Sequence, residues 1–229
     1  MPRRKAVVFC SASYDIDPKY NEAAREVVRA LHAYGWTLVS GGSFRGTMGA
    51  IADEMERLGG DHIGVLPRFM KGLEYPHLTE LVWTDTMAER KERMREGTSA
   101  VIALPGGIGT LDELIESHVL VKLGRYDGKL LVLNVDGFFD PFKALLDHYE
   151  ATGMLTPGDR ALIVFADTVP ELAEHLKGAR INVDSRPSWP SRWRKSSPCW
   201  RLPSEATSRC WMRRTGPCWR RAGSGSGRA

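Results

Sequence analysis

Long apolar runs are missing from this sequence of 229 residues. No stretch approaches the roughly 18–20 apolar residues with which a helix crosses a bilayer. The start, MPRRKAVVFCSAS, is basic, but it has only about five apolar residues before polar ones return, which is too few for a signal peptide. We therefore expect a cytoplasmic protein without a membrane partner.

Cysteine and histidine are scarce, and their spacing is not that of a metal site. The chain has four Cys and six His, with neither an H-x-x-x-H motif nor a mixed Cys/His pattern of ligand spacing. Cys10 follows an apolar run, so we expect a small buried residue there and not a nucleophile. We predict no metal and no cofactor.

The two common nucleotide-binding glycine motifs are both incomplete. In the dinucleotide pattern that starts at Gly107, Asp112 stands where the third glycine belongs. Gly41 and Gly46 have the P-loop separation, but Thr47 replaces the lysine that would reach the phosphates. The sequence therefore supports neither an NAD enzyme nor a P-loop NTPase.

Aliphatic residues almost disappear after residue 184. Residues 185–229 contain one Leu and no Ile or Val, but they hold 11 of the 32 Lys and Arg, one of the 28 acids and five of the seven Trp. The segment thus has a net charge of +10 and the rest of the chain −6. Because such a composition cannot build a packed core, we predict a globular domain at 1–183 and a disordered tail at 184–229.

The tail permits two interpretations. Arginines interleaved with tryptophans could bind nucleic acid through phosphate contacts and base stacking. The same composition, rich in Arg, Ser, Pro, Trp, Cys, Gly and Ala, is typical of a GC-rich gene read in a shifted frame. We favour the frame shift, so a nucleic-acid partner is not expected for the globular part.

Seven apolar, β-rich runs alternate with stretches of helical periodicity in the globular part. Near-continuous apolar strands separated by helices predict a parallel sheet that is covered on both faces. The predicted fold class is α/β, with a single doubly wound, Rossmann-like parallel sheet of about seven strands. The runs lie at 6–10, 37–42, 61–67, 81–85, 99–106, 129–135 and 161–167.

Three of the predicted strands end in small residues: CSAS follows the first, SGGSFRGTMG the second and PGGIGT the fifth. Ligands of such sheets bind beyond the carboxyl ends of the strands. Glycines let the backbone approach a ligand, and helix N-termini offer N–H groups to anions. Tight turns alone could explain one such loop, but three in one sheet favour a ligand that carries phosphate.

PGGIGTLDE, with the upstream TMAERK, resembles the "Lonely guy" family of cytokinin riboside 5′-monophosphate phosphoribohydrolases over roughly residues 5–177. Met87, Arg90 and Lys91 match the family's Met-x-x-Arg-Lys segment. The sequence departs from the family at Ser11, Ser43 and Thr47, where two glycines and a leucine are usual, so we expect an altered fit around the nucleotide. The signature P-G-G-x-G-T-x-x-E is matched by Pro105, Gly106, Gly107, Gly109, Thr110 and Glu113.

The resemblance implies hydrolysis of the N-glycosidic bond of an adenine-type nucleoside 5′-monophosphate, without a cofactor, by a homodimer. It implies Arg90 and Glu113 as the catalytic residues. The phosphate and substrate would be bound by Cys10, Ser11, Gly42, Gly46, Thr47, Met48, Met87, Lys91, Pro105, Gly106, Gly107, Gly109 and Thr110.

Arg90 and Glu113 suit the hydrolysis of an N-glycosidic bond, although each could instead have a purely structural role. A carboxylate at Glu113 would stabilise positive charge on the sugar and orient water, or it would form a capping box with Thr110. Arg90 would pair with phosphate or with the departing base, or it would lie on a solvated helical face. Asp112 and Glu116 are weaker candidates, of which Glu116 would tune Glu113 or meet solvent.

A non-catalytic carrier of a phosphorylated nucleotide or pterin-type ligand is the alternative function, because the phosphate loops would look the same. The joint presence of Arg90 and Glu113 favours the enzyme.

Family members have often been labelled lysine decarboxylases, for which we find no pyridoxal phosphate site in the sequence. The loop at 68–80 is expected to shape the base pocket, but the sequence does not choose between adenine and isopentenyladenine. An apolar stripe on the stretch 110–124 could serve core packing or dimerisation.

Overall fold

The computed structural model describes residues 3–177, so the predictions for the tail at 184–229 lie outside the described residues. In the described part, seven parallel strands form one sheet in the order β4-β3-β2-β1-β5-β6-β7. The predicted α/β fold with a parallel sheet of seven strands is confirmed. The strands are β1 Lys5–Phe9, β2 Thr37–Ser40, β3 His62–Pro67, β4 Glu80–Thr84, β5 Ala100–Ala103, β6 Lys129–Leu133 and β7 Ile163–Ala166.

Helices cover both faces of the sheet. One hydrophobic core includes side chains of α1, α2 and α7, and the other includes side chains of α3, α4 and α5. The four-residue α6 was not predicted, because it is shorter than the period by which helices are recognised. The helices are α1 Pro18–Ala33, α2 Gly46–Arg57, α3 Met87–Arg95, α4 Ile108–Lys122, α5 Asp140–Ala151, α6 Pro157–Arg160 and α7 Val169–Lys177.

The central strand β1 shows why the strands are almost continuously apolar. Ala6 and Val8 point into one core, while Val7 and Phe9 point into the other. Successive side chains of a strand alternate between the two faces. A sheet with helices on both faces must therefore bury every residue of its central strands, so the apolar run does not alternate.

The connection order creates a crevice beside β1. The chain moves outward from β1 to β4 on one side and then returns to place β5 on the other side of β1. The loops that leave β1 and β5 consequently diverge to opposite faces, which is the position where such sheets bind ligands. The Leu104 N–H donates to the Phe9 carbonyl at 2.9 Å, so the two strands remain paired up to the mouth of this crevice.

Helix α1 begins and ends at residues suited to those positions. The Asp17 side chain accepts a hydrogen bond from the Lys19 N–H at 3.0 Å, and Pro18 is the first helical residue. A proline is well suited to that position because its missing N–H would have no partner in the helix. Gly35 has φ +70° just after the helix, the left-handed conformation in which glycine commonly ends a helix.

Candidate active site

The three glycine- and serine-rich loops meet at the crevice, as the sheet order requires. A Cβ on Gly46 would lie 2.4 Å from the Ser13 carbonyl oxygen, so the start of α2 packs directly against the loop after β1. The Met48 N–H donates to the Ser11 carbonyl at 3.3 Å. A Cβ on Gly106 would lie 3.2 Å from the carbonyl carbon of Cys10, which joins the loop after β5 to the same place.

Gly42 has both of its backbone hydrogen-bonding groups engaged within the protein. Its N–H donates to Ser40 Oγ at 3.0 Å, and its carbonyl accepts from the Tyr75 N–H at 2.8 Å. Its φ of +69° lies in the left-handed region that favours glycine. Gly42 therefore shapes the turn after β2, and its N–H is not available to a phosphate.

Behind this turn lies a buried polar pair that sequence reasoning missed. Ser40 Oγ and His62 Nε2 are 2.7 Å apart, and both residues are buried. Burial lowers the pKa of His62 to about 4, so its imidazole is neutral at pH 7. Only the pairing of β2 with β3 brings the two residues together, and no local pattern in the sequence indicates it.

Arg90 lies in the interior and not on a solvated helical face. It is 8% exposed, its Nε donates to the Val65 carbonyl at 3.0 Å, and its Nη1 donates to Glu113 Oε1 at 3.1 Å. Arg95, on the same helix, is also buried. The solvated-face interpretation is therefore wrong for both arginines, because Arg90 turns towards the Val65 carbonyl of β3 and Arg95 towards Glu116 of α4.

Glu113 is the acidic partner of Arg90 and is itself 8% exposed. Burial raises the pKa of its carboxyl group, and the charge of Arg90 partly opposes that rise. Cys10, beside this pair, is buried as expected. Burial and the charge of Glu113 raise the pKa of the Cys10 thiol, so Cys10 remains protonated at pH 7 and is not a nucleophile.

The capping-box interpretation of Thr110 and Glu113 is wrong, because α4 begins before Thr110. The N-cap is Gly107 and the first helical residue is Ile108. Thr110 is thus the third helical residue and Glu113 the sixth, which is too far into the helix to cap it. Instead Thr110 is buried, with its Oγ1 against Gly106.

The two helices that start at the crevice have no side-chain cap. Neither Arg45 before α2 nor Gly107 before α4 accepts a hydrogen bond from its helix through a side chain. The first N–H groups of an α-helix have no acceptor within the helix. Together with the partial positive charge of the helix dipole, they make both N-termini suitable for an anion, although in α2 the Met48 N–H already donates to the Ser11 carbonyl.

Lys91 joins α3 to α4 instead of facing Glu113. Its Nζ lies 2.9 Å from Asp112 Oδ2 and 2.6 Å from Glu116 Oε2, and these hydrogen bonds raise its pKa. Glu116 also accepts from Arg95 Nη2 at 2.8 Å. Glu116 is only half-buried, so it does meet solvent, but its carboxylate is also held by two cations between the helices.

The remaining predicted residues lie around the same crevice. Thr47 Oγ1 donates to Asn21 Oδ1 at 2.8 Å and so ties α2 to α1. Met48 is half-buried and packs near Gly41, whereas Met87, at the start of α3, is 43% exposed. Pro105 is buried; Gly107, the N-cap of α4, and Gly109, in its first turn, are exposed.

Residues 3–177 contain neither a cluster of metal ligands nor a helix that could span a membrane. No group of three or more His, Cys, Asp or Glu side chains is placed to hold a metal ion. No helix there has both the length and the apolar character that a membrane span requires.

Solved structures share this fold. The molybdenum cofactor binding protein of Rippkaea orientalis matches with a TM-score of 0.61 and 18% identity, covering 77% of this chain and 97% of that one. The molybdenum cofactor carrier protein of Chlamydomonas reinhardtii matches with a TM-score of 0.61 and 19% identity over the same shares. At this level of identity the similarity establishes the fold alone.

Sequence comparison adds the family. A family model described as possible lysine decarboxylase matches residues 48–176. A probable cytokinin riboside 5′-monophosphate phosphoribohydrolase of Oryza sativa subsp. japonica is 37% identical over 176 residues, 76% of this chain and 78% of that protein. The cytokinin riboside 5′-monophosphate phosphoribohydrolase of Mycobacterium tuberculosis is 37% identical over 166 residues, 72% of this chain and 88% of that protein. The chain therefore belongs to this family of proteins, whose curated relatives are named cytokinin riboside 5′-monophosphate phosphoribohydrolases.

Proposed function

We propose that the protein hydrolyses the N-glycosidic bond of adenine-type nucleoside 5′-monophosphates, including cytokinin ribotides, to the free base and ribose 5-phosphate. The observation that carries this proposal is the buried Arg90–Glu113 pair, which lies in the crevice with the uncapped N-termini of α2 and α4. The names of the relatives point to the same reaction.

The glycines at the start of α4 support a phosphate site. A Cβ on Gly107 or Gly109 would meet no atom within 4 Å, and neither residue has a positive φ. The packing and backbone of the protein thus do not require glycine at these positions. A ligand that must approach the backbone closely does require it, and the free N–H groups of the first turn suit the 5′-phosphate.

Glu113 acts at the sugar in this proposal. As the bond between C1′ and the base nitrogen breaks, positive charge develops on the ribose, and the Glu113 carboxylate stabilises it. The same carboxylate orients a water molecule and accepts one of its protons as the water oxygen bonds to C1′. That proton is then available to the departing base, so the products are neutral base and ribose 5-phosphate.

Arg90 acts at the base. A guanidinium stays protonated at physiological pH, so it stabilises negative charge on the departing base by hydrogen bonding and does not supply the proton. Its hydrogen bonds to Val65 and Glu113 hold it in place before the substrate arrives. Such preorganised donors lower the barrier because they need no rearrangement during the reaction.

The residues of the site do not fit the lysine decarboxylase description of the family. Decarboxylation of an amino acid normally uses pyridoxal phosphate bound to a lysine, whose amine must lose its proton to react. Lys91, the lysine of this site, is paired with Asp112 and Glu116, which raise its pKa and keep it protonated.

We also propose a homodimer that forms through α4. The outward side of this helix carries a stripe of apolar residues, which we call the α4 stripe: Ile108, Leu111, Ile115, Val119 and Leu123. Ile108 is 81% exposed, and Val119 and Leu123 are each more than 40% exposed. Leu114, by contrast, is fully buried against the sheet. Apolar surface left exposed in a continuous stripe is typical of a protein interface.

The test is release of free base, followed by chromatography, from AMP and from isopentenyladenosine 5′-monophosphate. We expect the wild type to release base and the folded variants Glu113→Gln and Arg90→Ala to lose activity by about 100-fold or more. If the wild type binds either nucleotide but releases no base, the protein is a carrier and the proposal is wrong. Wild-type activity in both variants would contradict the assigned roles.

A further inference from the structure

Gly41 is a buried glycine whose backbone does not explain its presence. It directly follows β2, and its φ is not in the left-handed region. What requires a glycine here is space. A Cβ would lie 2.3 Å from Arg90 Nη2 and 2.8 Å from Met48 Sδ, both inside the 3.0 Å below which real Cβ contacts essentially never occur.

Gly41 lies next to Nη2, the one nitrogen of the Arg90 guanidinium that has no hydrogen-bond acceptor in residues 3–177. Arg90 Nε donates to the Val65 carbonyl and Nη1 donates to Glu113. Within residues 3–177, Nη2 donates to no other group. Two of the three nitrogens thus fix the guanidinium, and the third retains its hydrogens for a ligand.

We propose that Gly41 is a positioning residue for Arg90: the missing side chain at this position lets the guanidinium reach both of its acceptors while Nη2 faces the substrate. The inference rests on the proposed function, in which Arg90 stabilises the departing base. Gly41 itself contacts no reacting atom and acts through the arginine alone.

The neighbouring glycine gives a contrast within the same loop. A Cβ on Gly42 would lie 2.4 Å from Leu66 Cδ1 and also 2.8 Å from backbone, the Gly64 Cα, and the φ of +69° would strain any other residue. At Gly41 the atoms within 3.0 Å belong only to long side chains, which can move away. An alanine at position 41 is therefore accommodated by displacing the guanidinium, so the variant folds but its arginine is misplaced.

The experiment is a double-mutant cycle in the full chain, with base release from AMP as the readout. Gly41→Ala, Arg90→Ala and the double variant are compared with Gly158→Ala, a glycine far along the chain whose added Cβ has room. We expect Gly41→Ala to lower kcat by about 100-fold, the cost of a misplaced catalytic group, with an unfolding midpoint close to that of the wild type. In the Arg90→Ala background the same change should lower kcat far less, because the guanidinium is gone and only the close contact with Met48 Sδ remains.

The pH dependence of kcat/KM separates a positioning role from a purely structural one, because a purely structural change would leave it unaltered. The charge of Arg90 lowers the pKa of Glu113 and opposes the effect of burial. If the guanidinium is displaced, the acidic limb of kcat/KM moves to higher pH in Gly41→Ala and stays in place in Gly158→Ala.

Every outcome of these experiments either supports or overturns the role proposed for Gly41. An equal loss from Gly41→Ala in both backgrounds, or a wild-type rate and pH profile in the single variant, overturns the inference. If the wild type releases no base or Arg90→Ala keeps full activity, the proposed function fails, and a crystal structure of Gly41→Ala decides the inference. A guanidinium still bonded to both Val65 and Glu113 would overturn it, and a displaced guanidinium would support it.

Discussion

Glu113 carries a buried carboxyl group that is subject to two opposing influences. Burial disfavours its charged form, while Arg90 at 3.1 Å favours that form, and burial has the larger effect on its pKa. A group that must be ionised to stabilise the sugar is therefore held where ionisation is costly. Such tension between stability and function is expected at a catalytic position.

This tension predicts a pH-dependent gain in stability for Glu113→Gln. A carboxyl group whose pKa is raised in the folded state contributes stability at low pH, and that contribution is lost as the pH rises through the raised pKa. Glutamine does not titrate, so the free energy of unfolding of the variant should rise relative to that of the wild type as the pH increases above about 4. Urea unfolding at several pH values measures the difference, and a constant difference would contradict the assignment.

His62 gives the opposite pH dependence. Its pKa is lowered to about 4 by burial, so the unfolded chain binds this proton more tightly than the folded protein. The free energy of unfolding should consequently fall as the pH drops from about 6.5 to 4, by up to roughly 3 kcal/mol. We expect His62→Gln to remove this part of the pH dependence in chemical denaturation. An unchanged pH dependence would show that His62 is charged in the folded protein.

At the scale of elements, the start of α4 is the feature that links fold to function. It lacks a side-chain cap, its glycines are not required by packing, and it leads within two turns to Glu113. Residues that bind phosphate and a residue that acts on the sugar thus share one rigid helix, which fixes the distance between them.

Gly109 allows a test of this element with a closely matched control. Gly109 in α4 and Gly158 in α6 are both the second residue of their helix, and both have room for a Cβ. Alanine should raise the free energy of unfolding by up to about 1 kcal/mol in each case, because it is the better helix former. Only Gly109→Ala should also raise the KM for AMP, by about tenfold, the loss of one charge-assisted hydrogen bond.

Steady-state kinetics and thermal unfolding of Gly109→Ala and Gly158→Ala test this prediction. We expect both variants to have similar stability and only Gly109→Ala to have a raised KM for AMP. If Gly109→Ala keeps the wild-type KM, the phosphate does not approach this helix turn closely.

Sequence periodicity predicted most elements because each depends on local spacing. Within residues 3–177, all seven strands and six of the seven α-helices lie where the apolar runs and helical patterns place them. The start of α4 has no local signal in the sequence, since Ile108 is 81% exposed and the helix has no side-chain cap. Solvent-exposed helix ends at a ligand site are therefore the hardest boundaries to predict.

At the scale of the whole molecule, the α4 stripe is the surface through which we propose that the protein dimerises. We expect sedimentation to show a dimer for the wild type and a monomer for Val119→Glu, because a charge in the middle of an apolar interface is not solvated. Ala33→Glu, which places the same charge on the exposed end of α1 on the opposite face of the sheet, should leave the dimer intact. A monomeric wild type, or a dimeric Val119→Glu, would show that the stripe is not the interface.

The sequence by itself determined the parallel α/β fold, the three loops at one edge of the sheet and the family to which the chain belongs. These follow from local patterns: apolar period, glycine position and motif spacing. Only the tertiary structure decided that Arg90 is buried, that it pairs with Glu113 and that Lys91 turns instead to Asp112 and Glu116. The physical reason is that the direction of a charged side chain depends on the partners that packing brings within hydrogen-bonding distance. Those partners lie on other elements, such as the Val65 carbonyl of β3, which is 25 residues from Arg90 in sequence.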